Sequence, residues 1–144
     1  MKATVLRTQL RFLDLAGGDQ ELGLFSGDIA CLIVSRSTDE FPAMHSLIRR
    51  LLVSGCKYFL SWGEIANWVE DEVDAFVESD QRYLDVLTTS HQEEPADDVA
   101  SFFVHATFPT SLEKTLYVIH CGDFPAMAQL KRELLALTRS SPAA

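Results

Sequence analysis

The residues with most chemical reach are clustered near the end of the chain. Ile119-His120-Cys121-Gly122-Asp123 brings an imidazole, a thiol and a carboxylate within a few positions, just ahead of a predicted helix. A thiol at a helix start has its thiolate stabilised by the free N–H groups there. His120 or His91 could then serve as base, which makes His91, His120, Cys121 and Asp123 the catalytic candidates. Two points oppose this reading. Neighbouring residues on a strand face opposite ways, and a carboxylate such as Asp123 raises the pKa of a nearby thiol. A metal set of His91, Glu94, His120 and Asp123 is conceivable by ligand type. Its spacing is not diagnostic, so neither metal nor cofactor is expected. Glu93 and Glu94 could do acid–base work, but adjacent acids ahead of a helix ordinarily cap it.

Phosphate chemistry fares worse. The G-x-G-x-x-G and P-loop fingerprints are absent. Acids already occupy the predicted helix starts: Asp39, Glu40, Glu64, Glu93, Asp97, Asp98 and Asp123. A net charge of −9 argues against nucleic acid and anionic membrane surfaces. It permits solubility alone or a basic protein partner.

No Lys or Arg lies between Lys57 and Arg82. The helix predicted from Glu64 to Asp80 therefore carries Glu70, Asp71, Asp74 and Glu78 as a negative ridge. Candidate binding residues are Trp62, Glu64, Glu70, Asp71, Asp74, Glu93 and Glu94. Either Trp62 or Trp68 could anchor a partner, although the core is the commoner place for a Trp. The leading expectation is a non-catalytic acidic interaction protein, of an immunity or inhibitor type, binding a basic protein. The alternative is a small enzyme using His91, His120, Cys121 and Asp123 at the strand ends. A third reading is a subunit that buries one sheet edge. Sequence does not fix the oligomeric state.

The elements that would position these residues follow from periodicity. Ile29–Val34 is a continuous apolar run with β-branched residues, the pattern of a strand buried on both faces. Further strands are predicted at Cys56–Ser61, Tyr83–Thr89 and Thr115–Ile119, and a looser opening strand within Thr4–Leu15. Gly17-Gly18-Asp19 reads as a turn, and Glu21–Asp28 is ambiguous. Helices are expected after Pro42, with Ser37 and Thr38 offering hydroxyl caps and the stripe Phe41, Met44, Leu47, Ile48, Leu51 and Leu52, and from Ile65 with Val69, Val73 and Val77. A third follows Pro95 with Val99, Phe102, Phe103 and Ala106. The last runs from about Pro125 to Arg139.

Strand and helix alternate four times after the opening strand. Right-handed crossovers then predict a three-layer α/β sandwich, Rossmann-like or flavodoxin-like. Its mostly parallel sheet has about five strands with helices on both faces. The opening strand is placed at an edge, with an antiparallel orientation left open. Ligands of such sheets bind beyond the carboxyl ends of the strands. Residues 1–139 are expected to form one domain and 140–144 a frayed tail. Cys31 and Cys56 sit in apolar strand contexts and read as buried thiols. With no signal-like or membrane-spanning run, a cytoplasmic location is the default expectation.

Phe41-Pro42-Ala43-Met44 and Phe124-Pro125-Ala126-Met127 repeat one motif, each followed by similarly spaced leucines and an arginine. Pro presets a first helical turn, so the repeat is explained as helix-start architecture. What differs ahead of it is Arg36-Ser37-Thr38 in one copy and His120-Cys121-Gly122 in the other.

Tyr58-Phe59, Trp62-Gly63, Asp74, Thr88-Thr89-Ser90-His91 and Glu94-Pro95 together resemble an uncharacterised family of small bacterial α/β proteins. The resemblance covers about residues 56–108. In that family the strand ends Thr-Thr-aromatic-His, where this chain has Ser90. A Cys associated with the turn after Trp-Gly is replaced by Ile65 and Ala66. The resemblance implies a small α/β domain and no known activity, and it singles out Trp62 and His91 as a facing pair.

Overall fold

The computed structural model describes residues 7–17, 22 and 27–139. Strands β1 (Arg7–Asp14), β2 (Asp28–Val34), β3 (Tyr58–Trp62), β4 (Leu87–Ser90) and β5 (Glu113–His120) form one sheet. Their order is β1-β5-β2-β3-β4. Every pairing is parallel, that of β1 included. The opening strand is thus at an edge as expected, and its orientation is settled as parallel. The turn predicted at Gly17-Gly18-Asp19 is described only to Gly17, the last residue of a 3-10 turn. Most of Glu21–Asp28 and the predicted tail lie outside the described residues.

Strand β2 is central, and its apolar run is buried on both faces as its composition demands. Ile29, Cys31 and Ile33 point to one side with Phe59, Tyr117 and Ile119. Ala30, Leu32 and Val34 point to the other with Leu60, Trp62, Leu116 and Val118. Helices α1 (Phe41–Val53) and α2 (Ala66–Glu78) cover the first side; α3 (Ala96–Ser101) and α4 (Pro125–Arg139) cover the second. The chain steps one way from β2 through β3 to β4, then returns past them to β5. Helices on opposite faces for the two directions are what a single crossover hand requires. All six predicted apolar positions of α1 are buried, and Pro42 lies in its first turn. Cys31 and Cys56 are buried free thiols, and burial pushes the Cys56 pKa up to about 12.

Three expectations need correction. The strand predicted from Tyr83 begins only at Leu87. Asp80 accepts a hydrogen bond from the Arg82 amide and sets Gln81–Tyr83 in a 3-10 turn instead. Ser37 and Thr38 do not cap α1 with their hydroxyls; a 3-10 turn at Thr38–Glu40 precedes the helix. The third helix continues as a π-helix over Phe102–Ala106. A π turn holds more residues than an α turn, so the apolar stripe slips. Val104 is buried in place of Ala106, which is exposed.

Candidate functional site

Neighbouring strands β2 and β5 leave their carboxyl ends for helices on opposite faces. In a doubly wound sheet this is where a ligand crevice opens. Here Arg36 bridges it. Its Nη2 donates to the Cys121 carbonyl at 3.1 Å and to Glu40 at 3.2 Å, and its guanidinium lies 4.2 Å from the centre of the Phe124 ring. The residues that could do chemistry lie to either side of this bridge.

On one side are the ends of β3 and β4. His91 follows β4, is 5% exposed, and has both ring nitrogens engaged. Nδ1 lies 2.6 Å from a Glu94 carboxylate oxygen and Nε2 lies 2.8 Å from the Thr89 hydroxyl. A carboxylate only accepts, so Nδ1 carries the proton and the hydroxyl donates to Nε2 in the neutral ring. The ring also packs on Phe102, centroid to centroid 4.7 Å. Trp62 Nε1 donates to the Glu94 carbonyl at 2.8 Å, so Glu94 is held through both its side chain and its backbone. Trp62 and His91 thus meet through Glu94. The remaining β4 hydroxyls tie the strand to α2: Thr88 donates to Asp74, and Ser90 donates to Asn67 at 2.5 Å.

The acids of the predicted ridge surround this rim. Glu70, Asp71 and Asp74 bring carboxylate oxygens within 4.8 Å of one another. Partial burial raises the Glu70 pKa, and the Asp74 and Asp71 charges raise it further. Glu93, Asp97 and Asp98 are exposed on the β4–α3 side. None of these acids belongs to an ion pair among the described residues. Trp62 is only 7% exposed and belongs to the core, whereas Trp68 is 39% exposed and packs edge-on against Phe41.

On the other side are the ends of β1 and β5. Asp14 and His120 are register partners on adjacent strands. The Gly122 amide donates to Asp14 at 2.8 Å, and the Gly122 carbonyl lies 2.9 Å from His120 Nδ1. The Gly122 amide bond holds the Asp14 carboxyl below its ordinary range, with a smaller contribution from the Ala16 amide. Ligand atoms of Asp14, His120 and Asp123 lie within 4.8 Å of one another. Cys121 faces away from His120: it packs on the α1–α2 side while His120 contacts Phe12 on the other. Burial pushes the Cys121 thiol pKa up, and Glu40 and Asp14 push it further. That is the reverse of what a thiolate nucleophile needs.

The four catalytic candidates are therefore not one constellation. His91 is separated from His120, Cys121 and Asp123 by three strand spacings, roughly 14 Å at about 4.8 Å each. Glu64 is exposed and precedes α2 without capping it. Sequence reasoning missed Asp14 and Thr89. Asp14 ends a strand treated only as an edge, although the rule for carboxyl ends applied to it equally. Thr89 lay in plain view, two residues before His91 and so on the same face.

A cavity of about 640 Å³ opens at the opposite, amino end of β1 and β5. Its lining includes Lys114, which is buried and donates to the Val104 and Thr107 carbonyls at 2.5 and 2.6 Å. The ammonium thereby satisfies carbonyls at the end of the π turn.

Fold and rim together define a five-stranded parallel α/β sandwich with two polar rims at its carboxyl end. The chain belongs to the family described as Domain of unknown function (DUF7684), which matches residues 10–137. No curated protein and no solved structure matches it. Among the described residues, no helix is long and apolar enough to cross a membrane.

Proposed function

We propose that this protein is a non-catalytic interaction module whose acidic rim at the β3–β4 end docks a basic protein. The observation that carries the reading is charge without compensation. Carboxylates from α2 and from the β4–α3 segment flank one edge strand, and no described Lys or Arg pairs with Glu70, Asp71, Asp74, Glu93, Asp97 or Asp98. Burial raises the Glu70 pKa first, and the Asp74 and Asp71 charges raise it further; incoming positive charge would relieve that second contribution.

The edge adds a directional element. The amides of Leu87 and His91 point inward to the Lys57 and Ser61 carbonyls. Alternation then turns the Thr88 and Ser90 backbone outward. Leu84 and Leu87 are exposed beside it, at 78% and 58%. Acids for long-range steering next to apolar contacts suit a protein-binding surface. An immunity-type or inhibitor role against a basic toxin or enzyme fits this chemistry.

The test uses Glu70→Lys and Asp71→Lys together, leaving the Asp74–Thr88 bond intact. With a partner recovered by cross-linking, the double variant should weaken binding at least tenfold and flatten its salt dependence. Affinity indifferent to both salt and charge reversal would sink the reading.

A further inference from the structure

We infer that Asp14, His120 and Asp123 form a binding site for a divalent transition cation such as Zn²⁺, although the sequence alone predicted no metal. The ligand set is chemically apt: one imidazole and two carboxylates suit zinc-like ions, with water completing the coordination. The three side chains come from two adjacent strand ends and the turn that follows, and their ligand atoms already lie within 4.8 Å of one another.

The independent observation is the state of His120. Its side chain is almost wholly buried, with the residue 4% exposed. Nδ1 is 2.9 Å from the Gly122 carbonyl, which can only accept, so Nδ1 carries the proton. The lone pair is then on Nε2, for which no partner exists among the described residues. Histidine ligands of metals ordinarily have this arrangement, with the second ring nitrogen donating to a carbonyl and fixing the tautomer. The N–H of the same residue, Gly122, orients Asp14. One residue therefore sets two of the three ligands. Phe12 packs edge-on against the imidazole, ring centres 6.4 Å apart, and steadies it further.

The acidic trio on α2 has no such support. Glu70, Asp71 and Asp74 offer oxygens only, with no imidazole among them. Two cationic groups are close by. Lys131 is exposed, its Nζ lies 5.0 Å from the Phe12 ring centre, and it acts on Asp14. Arg36 is held by Glu40 and by the Cys121 carbonyl.

The experiment titrates the full chain with Zn²⁺ by calorimetry and reads the histidine ring nitrogens by long-range ¹H–¹⁵N spectra. We expect one ion per chain, with the His120 Nε2 signal moving and those of His45, His91 and His105 unmoved. His120→Gln and, separately, Asp123→Asn should each weaken binding at least tenfold. Asp123 is exposed, so its variant tests the site without threatening the fold. Asp71→Asn should leave binding unchanged. No binding, a response at His45 or His105 in place of His120, or loss in Asp71→Asn with retention in Asp123→Asn would each overturn the inference.

Discussion

His91 and His120 occupy equivalent places, each at the carboxyl end of a parallel strand and each nearly buried. They differ in what is left over. At His91 both ring nitrogens are consumed, by Glu94 and by Thr89, and the ring lies against Phe102. At His120 one nitrogen is engaged by a backbone carbonyl and the other has no described partner. Residue type and position are the same, so partner count alone separates a histidine that builds a turn from one that can bind. The acids divide in the same way. Glu70, Asp71 and Asp74, beside His91, crowd each other, whereas Asp14 beside His120 is oriented by backbone amides.

The turn glycines give the strongest test of this contrast. Gly63 follows β3 at φ 118°, and a Cβ there would lie 2.1 Å from the Ser35 carbonyl oxygen. Gly122 follows β5 at φ 72°, with nothing within 4 Å of a Cβ. Gly63→Ala must therefore break backbone packing as well as adopt a strained φ, at a cost of about 3 kcal/mol or more. Gly122→Ala incurs only the left-handed penalty, about 1 kcal/mol. Urea denaturation of the two variants measures the gap. Equal losses would mean that the β5 rim is as tightly built as the β3 rim.

The histidines come next in size. His91→Ala removes two side-chain hydrogen bonds, opens space beside Phe102 and frees the Glu94 turn, so a loss of about 2–3 kcal/mol is expected. His120→Ala removes one hydrogen bond and one edge contact, for about 1–2 kcal/mol. If the two losses were reversed, the reading of His91 as structural and His120 as available would fail.

How much of this could be read from the chain depends on whether local pattern or partner geometry decides. The β2 run and the α1 stripe were legible because burial on both faces, or on one, leaves a direct periodic trace. The slip at Phe102–Ala106 was not, because nothing in Val104-His105-Ala106 distinguishes an α from a π turn. The start of β4 was missed because the Asp80 cap and Arg82 outweighed the strand-like composition of Tyr83–Val86. At the rims, sequence placed His91, His120, Cys121 and Asp123 correctly at strand ends. It could not see that the order β5-β2-β3-β4 holds His91 apart from the other three. Strand order arises from crossover direction, which short βα units do not encode locally.

The smallest effect concerns charge on the β4 side. The folded-state pKa of Glu70 is raised, first by burial and then by Asp74 and Asp71. The folded protein thus holds this proton more tightly than the unfolded chain does. Its stabilising effect is complete below the ordinary glutamate pKa and is lost as pH rises through the elevated value. At neutral pH the charged Glu70 is a net cost, and Glu70→Gln should stabilise by about 0.3–0.5 kcal/mol, the scale of like-charge pairs on a helix. That gain should fade as pH falls to about 4, where glutamate itself becomes neutral. Denaturation of both proteins at pH 7 and pH 4 reads the difference directly. A gain that persists at pH 4 would assign the effect to helix propensity or packing. The α2 acids would then not be in mutual repulsion, and the electrostatic contrast between the two rims would lose its basis.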